Sequence, residues 1–153
     1  MSDTRKVAKH FAECIEGMEF VKAFGMLALN GKYIVIGSTK ASRTYDGRQD
    51  VFENLIPVLS NFPDPPRLKF QEPIIEGERA VLLASGKGEG PTGCYDQPYY
   101  AFVTRVHGNE FSEIIEFMDT TMLETAIFGR KLVESTAQII QVDEQIAGGQ
   151  SDA

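Results

Sequence analysis

Residues 95–119, YDQPYYAFVTRVHGNEFSEIIEFMD, predict two long antiparallel strands joined by a tight turn at His107-Gly108-Asn109. β-branched and aromatic residues dominate both sides of the turn, which is the composition of a strand–turn–strand unit. Successive side chains of a strand point to opposite faces. Both faces of the returning strand, residues 110–119, carry large apolar residues. We therefore expect both faces to be covered, one by a pocket and the other by a partner sheet.

More strands precede this hairpin. Residues 67–76 alternate around Leu68 and Phe70, and residues 79–85 are almost wholly apolar, as in a strand covered on both faces. The glycine-rich residues 86–93 predict a flexible link. A short β-branched run at residues 33–36 predicts one earlier strand.

Helical spacing of apolar residues predicts the other elements. Residues 4–16 form a first helix capped by Asp3 or Thr4, and a second, shorter helix runs from Phe20 to about Ala28, before a turn at Asn30-Gly31. Residues 47–61 form a third helix, which Pro57 is expected to kink or end early. Residues 120–132 form the last one. Runs of helices followed by runs of strands indicate the α+β class.

Composition excludes several classes of protein. The 153 residues fit one domain, and the net charge of −7, without a basic cluster, argues against a nucleic-acid partner. Apolar runs are too short to cross a membrane, and the polar start of the chain does not resemble a signal peptide. Cys14 and Cys94 lack metal-ligand spacing, so we expect buried, reduced thiols in a cytoplasmic protein.

Four stretches follow one another along the chain: Phe62-Pro63-Asp64, Glu76-Gly77-Glu78-Arg79-Ala80-Val81, Tyr95-Asp96-Gln97-Pro98-Tyr99-Tyr100-Ala101-Phe102 and Glu116-Phe117-Met118-Asp119-Thr120. In this order they resemble SnoaL-like proteins of the nuclear-transport-factor-two-like superfamily, which also contains the ketosteroid isomerases. The likeness covers residues 4–129, and residues 116–129 are similar to phenazine-biosynthesis A/B-type proteins in particular.

The resemblance implies a cone-shaped, strongly curved, mixed or antiparallel sheet wrapped around N-terminal helices, with a C-terminal helix. This cone domain would span residues 1–132, and residues 133–153 would form a partly disordered extension. A homodimer with a hydrophobic small molecule in its concave face is also implied. Where ketosteroid isomerases carry their tyrosine, aspartate base and second acid, this chain has Phe11, Ile36 and Phe102. The isomerase mechanism of that family is therefore excluded.

Glu116 is the candidate acid/base. It shares a strand face with Ile114 and Met118, and an apolar pocket disfavours the charged form of a carboxyl, which raises its pKa. The similar phenazine A/B-type proteins place their acid/base glutamate here. The alternative is a structural ion pair between Glu116 and an Arg or Lys.

Tyr100 is the second candidate catalytic residue. Resemblance to ketosteroid isomerase turns the face of Phe102 inward and sets Tyr100 beside Glu116, where its hydroxyl would hold a substrate oxygen. A bulge at Pro98 would instead turn Tyr99 or Gln97 inward. Packing of these tyrosines between sheets, without a role in catalysis, is the alternative.

The sequence thus predicts a cofactor-free, metal-free enzyme for a small hydrophobic carbonyl or hydroxy compound, of isomerase, cyclase or dehydratase type. The alternatives are a non-catalytic binding module and a dimeric interaction protein. The predicted substrate-binding residues are Tyr99, Phe102, Ile114, Met118, Phe70, Asp96 and Phe11.

Overall fold

The structure, a computed structural model, describes residues 3–135. Its helices are α1 (Thr4–Glu16), α2 (Phe20–Phe24), α3 (Arg48–Asp50), a π-helical turn (Val51–Leu55), α4 (Ile56–Ser60) and α5 (Thr120–Ala126). Its strands are β1 (Leu27–Val35), β2 (Arg43–Asp46), β3 (Asp64–Phe70), β4 (Ile74–Glu76), β5 (Arg79–Gly90), β6 (Gly93–His107) and β7 (Glu110–Phe117).

The sheet is curved, open and mixed. Its strand order is β2-β1-β7-β6-β5-β3, with β4 paired to β5. The strands β1 and β7 run parallel and all other pairs are antiparallel. The N-terminal helices and α5 complete the α+β architecture, as predicted.

Helix α1 forms as predicted and fills the concave side of the sheet. The Asp3 carboxylate accepts a hydrogen bond from the Lys6 backbone N–H at 3.2 Å, which satisfies one of the unpaired donors at the helix start. Phe11 is fully buried, with its ring edge-on to Phe102 and Phe111 at centroid distances of 6.0 and 5.3 Å. These rings join the helix to the two central strands.

The prediction was wrong about the end of the second helix and about the turn after it. Helix α2 ends at Phe24 and β1 begins at Leu27, so the predicted turn at Asn30-Gly31 lies inside a strand. The chain bulges there, because β1 loses register with β7 between Leu27 and Lys32. A side chain on Gly31 would clash with Leu27, so this glycine serves close packing rather than a turn.

The predicted third helix exists but is not a regular α-helix. Its residues 48–60 pass from α3 through the π-helical turn to α4, and Pro57 lies in the first turn of α4, where proline is tolerated. The wider π-helical turn directly before Pro57 is the predicted irregularity.

Two bulges change the predicted strand faces. Pairing of β6 with β5 shifts between Tyr100 and Gln97, which fits the proposed bulge at Pro98. Pairing of β7 with β6 shifts around Ser112, so that Phe111 and Ile114 both face the core and not opposite sides. Each bulge adds one residue to its strand and reverses the alternation beyond it.

Four further expectations need correction or lie outside the described residues. The glycine-rich link is mostly strand, because β5 extends to Gly90 and β6 begins at Gly93. The last helix ends at Ala126 and not at residue 132. The part of the predicted C-terminal extension that follows Ser135 lies outside the described residues. Cys14 is buried as expected, whereas Cys94 is exposed. Among residues 3–135, no helix is both long and apolar enough to cross a membrane.

Candidate active site

A narrow cavity lies between the concave face of the sheet and the helices. Its volume is about 80 Å³. Fourteen of its 18 lining residues are apolar. The four polar ones are Glu116, Tyr33, Tyr95 and Tyr100. Such a mostly apolar site with a few convergent polar groups is typical of small-molecule pockets.

Glu116 reaches this cavity from β7, opposite Val35 of the parallel strand β1. Its Oε2 accepts a hydrogen bond of 2.5 Å from the Tyr33 hydroxyl. The side chain keeps some accessible surface because it faces the cavity, yet protein surrounds it on every side. Burial raises the pKa of Glu116 from 4.5 to about 7, and the Tyr33 hydrogen bond lowers it by less.

No cation balances this carboxyl in the described part of the chain. Neither Lys, Arg nor His lines the cavity, and none of the ion pairs among residues 3–135 includes Glu116. Among residues 3–135, Glu116 therefore does not form the structural ion pair that was the alternative. A carboxyl with a pKa near neutrality is able both to take and to give a proton.

Tyr95 and Tyr100 form a second polar group on the same cavity wall. Their hydroxyl oxygens lie 2.8 Å apart, and Gln97 Nε2 donates to the Tyr95 oxygen at 3.3 Å. Burial raises the pKa of Tyr95 to about 12 and the pKa of Tyr100 well above its ordinary value of 10. Both hydroxyls therefore keep their protons at neutral pH and remain hydrogen-bond donors.

Four of the residues predicted from sequence meet in this cavity. Glu116, Tyr100, Phe102 and Met118 all line it, and the rings of Tyr100 and Phe102 stack with centroids 5.8 Å apart. Phe102 pairs directly with Glu116 across β6 and β7. The sequence left open whether Tyr99 or Tyr100 faces the cavity, and in the structure it is Tyr100.

The other predicted binding residues lie elsewhere. Phe11 and Ile114 are fully buried in the core behind the cavity wall. Phe70 lines a separate surface groove and touches Phe102, at a centroid distance of 5.6 Å. Tyr99 is 85% exposed on the outer face of the sheet, and Asp96 pairs with Lys87 at 3.4 Å. The bulge at Pro98 explains the position of Asp96, because it turns Gln97 and Tyr95 inward and Asp96 outward.

Sequence reasoning missed Tyr33 and Tyr95. Tyr33 lies on β1, and a parallel pairing between β1 and β7 across more than seventy residues leaves no local signal in the sequence. Simple alternation along the strand places Tyr95 on the face opposite Tyr100, which is the outer face. The proline at position 98 was the available signal, since a bulge there reverses that assignment.

No protein-family model matches this sequence, and no curated protein is detectably similar to it. Solved structures share its fold. An NTF2-like protein of unknown function from Burkholderia pseudomallei is 18% identical, with a TM-score of 0.70 over 83% of this chain and 98% of that chain. TerC, co-crystallised with polyporic acid, is 14% identical, with a TM-score of 0.70 over 83% and 99%. A protein from Jannaschia sp. described as a SnoaL-like polyketide cyclase is 13% identical, with a TM-score of 0.63 over 86% and 98%.

These structures define the class of the fold. The chain has the NTF2-like cone fold, which the SnoaL-like protein from Jannaschia shares, and this confirms the fold that the sequence motifs predicted. Identities of this size establish architecture and not activity. In residues 3–135, no group of three or more His, Cys, Asp and Glu side chains is arranged to hold a metal.

Proposed function

We propose that this protein is a cofactor-free acid/base enzyme acting on a small, apolar carbonyl or hydroxy compound, by isomerisation, cyclisation or dehydration. The observation that carries the proposal is Glu116. It is a buried carboxyl with a pKa of about 7, it faces an apolar cavity, and its hydrogen-bond partner is the uncharged Tyr33 hydroxyl.

The proposed step is a proton transfer at carbon. The Glu116 carboxylate takes a proton from the carbon next to a carbonyl, and the electrons of that C–H bond move to form a C=C bond and place negative charge on the carbonyl oxygen. A hydroxyl of the Tyr95–Tyr100 pair donates a hydrogen bond to that oxygen. Protonated Glu116 then returns its proton to another atom of the substrate, so that the enzyme ends as it began.

Tyr33 holds the carboxyl in place for this step. Its hydroxyl engages Oε2, and no group among the described residues hydrogen-bonds Oε1. The hydrogen bond also favours the carboxylate and keeps the pKa from rising further. Glu116 therefore keeps Oε1 for the substrate. Because burial brings its pKa close to neutral pH, both the carboxylate and the protonated form are present there.

The neighbouring structures support a small-molecule ligand by analogy of fold. One of them was crystallised with polyporic acid and another is described as a polyketide cyclase. Fold analogy does not choose between a catalyst and a binding module, so the test has to detect the reaction itself.

The test uses the ligand that the protein retains on purification, identified by mass spectrometry. Wild-type protein is returned to this ligand in D₂O, and deuterium at the carbon next to the carbonyl, or a new product, is followed over time. We expect exchange or conversion that stops when Glu116 is changed. A ligand recovered without deuterium and unchanged in structure would instead identify a binding module.

We also propose that the protein is a homodimer that pairs through the outer face of the sheet. Strands β5, β6 and β7 turn half-buried Leu83, Val103 and Ile115 to that side, and Phe117 is 41% exposed beside Tyr99. Apolar side chains grouped on one face are costly to leave in water, and a second copy would cover them with the same face across a two-fold axis.

Phe117→Glu is expected to dissociate this dimer, because two-fold symmetry places two new carboxylates in a surface that excludes water. Val21→Glu is the matched control, since Val21 is 65% exposed on α2. Light scattering should give twice the 16.9 kDa chain mass for the wild type and the control, and one chain mass for Phe117→Glu. A monomeric wild type, or a variant that stays dimeric, would refute the proposed interface.

A cytoplasmic location is proposed as well. Cys14 and Cys94 are both free thiols, and Cys94 is exposed to oxidants. Exposed free thiols are typical of proteins from reducing compartments. Fractionation of the native host tests this proposal, and protein found in the particulate or secreted fraction would contradict it.

A further inference from the structure

Gln97 holds a fixed orientation between a strand and a helix. It is fully buried, its Oε1 accepts from the Asp119 N–H at 3.0 Å and its Nε2 donates to the Asp119 carbonyl at 2.7 Å. A backbone N–H only donates and a carbonyl only accepts, so Asp119 fixes which end of the amide is nitrogen. The second hydrogen on Nε2 points to the Tyr95 hydroxyl oxygen, 3.3 Å away.

The amide thereby fixes the polarity of the tyrosine pair. Two hydroxyls bring two hydrogens, and one of them is used in the 2.8 Å bond between Tyr95 and Tyr100. Gln97 gives a hydrogen to the pair and takes none from it. Whichever tyrosine donates within the pair, one O–H is left over, and both tyrosines line the cavity. Had the amide oxygen faced Tyr95, that hydrogen would have been used on Gln97.

We propose that Gln97 is a positioning residue that keeps the Tyr95–Tyr100 pair a hydrogen-bond donor to the ligand, because it donates to the pair and takes no hydrogen from it, so that the cavity selects an uncharged molecule with an acceptor oxygen at that end. A ketone, aldehyde or ester carries such an oxygen. This selectivity narrows the substrate class of the proposed function. It rests on the proposed function in one respect, that this cavity is the ligand site.

The charges around the cavity give the second half of the inference. Apart from Glu116, its lining residues are apolar or tyrosine, and none of the 18 is cationic. An anionic ligand would lose its hydration without gaining a counterion, and it would lie near a carboxyl. Selection by the pair therefore operates among uncharged molecules, through hydrogen bonding and not through charge.

The experiment compares two probes of nearly the same shape. Acetophenone carries a C=O group where α-methylstyrene carries C=CH₂. Each dissociation constant is measured by calorimetry and corrected for the transfer of the compound from water to hexadecane. We expect the wild type to prefer acetophenone by roughly tenfold, the worth of one hydrogen bond. The infrared C=O stretch of bound acetophenone should lie below its position in hexane.

Two variants at position 97 separate the effects. Gln97→Glu places an acceptor next to Tyr95, so that the spare O–H is used on the carboxyl and turns away from the cavity. In this variant the preference for acetophenone should fall by about tenfold and the C=O stretch should move back toward its position in hexane. Gln97→Met neither gives nor takes a hydrogen, so the spare O–H is still left over and the preference should remain. Gln71→Glu, the same change on an exposed residue, should alter neither.

Several results would overturn the inference. One is a wild type that binds neither probe or binds both equally, and another is a folded Gln97→Glu variant that keeps the preference and the shifted stretch. If circular dichroism shows that Gln97→Glu does not fold, the double variant Tyr95→Phe, Tyr100→Phe decides, because a preference retained without both hydroxyls refutes a tyrosine donor. None of these readouts involves turnover, so failure of the acid/base proposal at Glu116 would leave them unchanged.

Discussion

Glu116→Gln is expected to lower kcat/KM for the natural substrate by about 10²- to 10⁴-fold, the usual contribution of a general acid/base. The amide has the shape of the carboxyl, and its oxygen is still able to accept the Tyr33 hydroxyl, which lies 2.5 Å from Glu116 Oε2. Fold and ligand affinity should therefore survive while proton transfer is lost. Steady-state kinetics with the retained ligand, together with its dissociation constant, measure the two effects separately.

Glu113→Gln is the matched control. Glu113 lies on the same strand as Glu116, and its replacement by Gln removes the same charge. Its side chain, however, does not line the cavity. Its kcat/KM should stay within about twofold of the wild type, since surface changes have small effects. For the wild type, kcat/KM should rise as pH increases through about 7, because the step begins with the carboxylate. Wild-type activity in Glu116→Gln would remove this residue from the mechanism.

The free energy of unfolding of the wild type is expected to fall, relative to Glu116→Gln, as pH rises from about 4.5 to 7. The pKa of Glu116 is about 7 in the folded protein and 4.5 when unfolded, so between these values the folded state binds one proton more. Stability then decreases with pH, and above pH 7 both states are ionised and the difference stays constant. The full change from this group is about 3 kcal/mol.

Urea denaturation at several pH values between 4 and 8 measures this change. Subtracting the Glu116→Gln curve removes the contributions of all other titrating groups that the two proteins share. The difference should be largest at neutral pH, where the wild type carries a buried, unbalanced charge and the amide does not. Two curves that stay parallel over this range would show that Glu116 titrates as it does in the unfolded chain.

Much of the fold was predictable because its signals are local. The helix at residues 4–16 follows from apolar spacing and a cap at Asp3, and the turn at residues 107–109 follows from glycine between two β-branched runs. Glu116 was also predictable, since a carboxyl between Ile114 and Met118 on one strand face implies desolvation. The local pattern therefore predicts the buried carboxyl and its raised pKa without knowledge of its partners.

The partners of Glu116 were not predictable in the same way. Tyr33 meets it through parallel pairing of strands far apart in sequence, and such pairing depends on how the whole sheet folds. Tyr95 and Gln97 face the cavity because of a single extra residue near Pro98, which reverses the alternation along the rest of the strand. A one-residue irregularity thus redistributes the polar side chains between the cavity and the surface.

The most direct test of the proposed role of Glu116 is the pKa of its carboxyl. Titration of its side-chain carboxyl carbon by NMR, with the resonance assigned by its absence from Glu116→Gln, measures it without knowledge of the substrate. We expect a midpoint of about 7, because the carboxyl is buried among apolar side chains with no cation beside it in the described residues. A midpoint near 4.5, the ordinary value for a glutamate, would show a solvated carboxylate and contradict the proposed role.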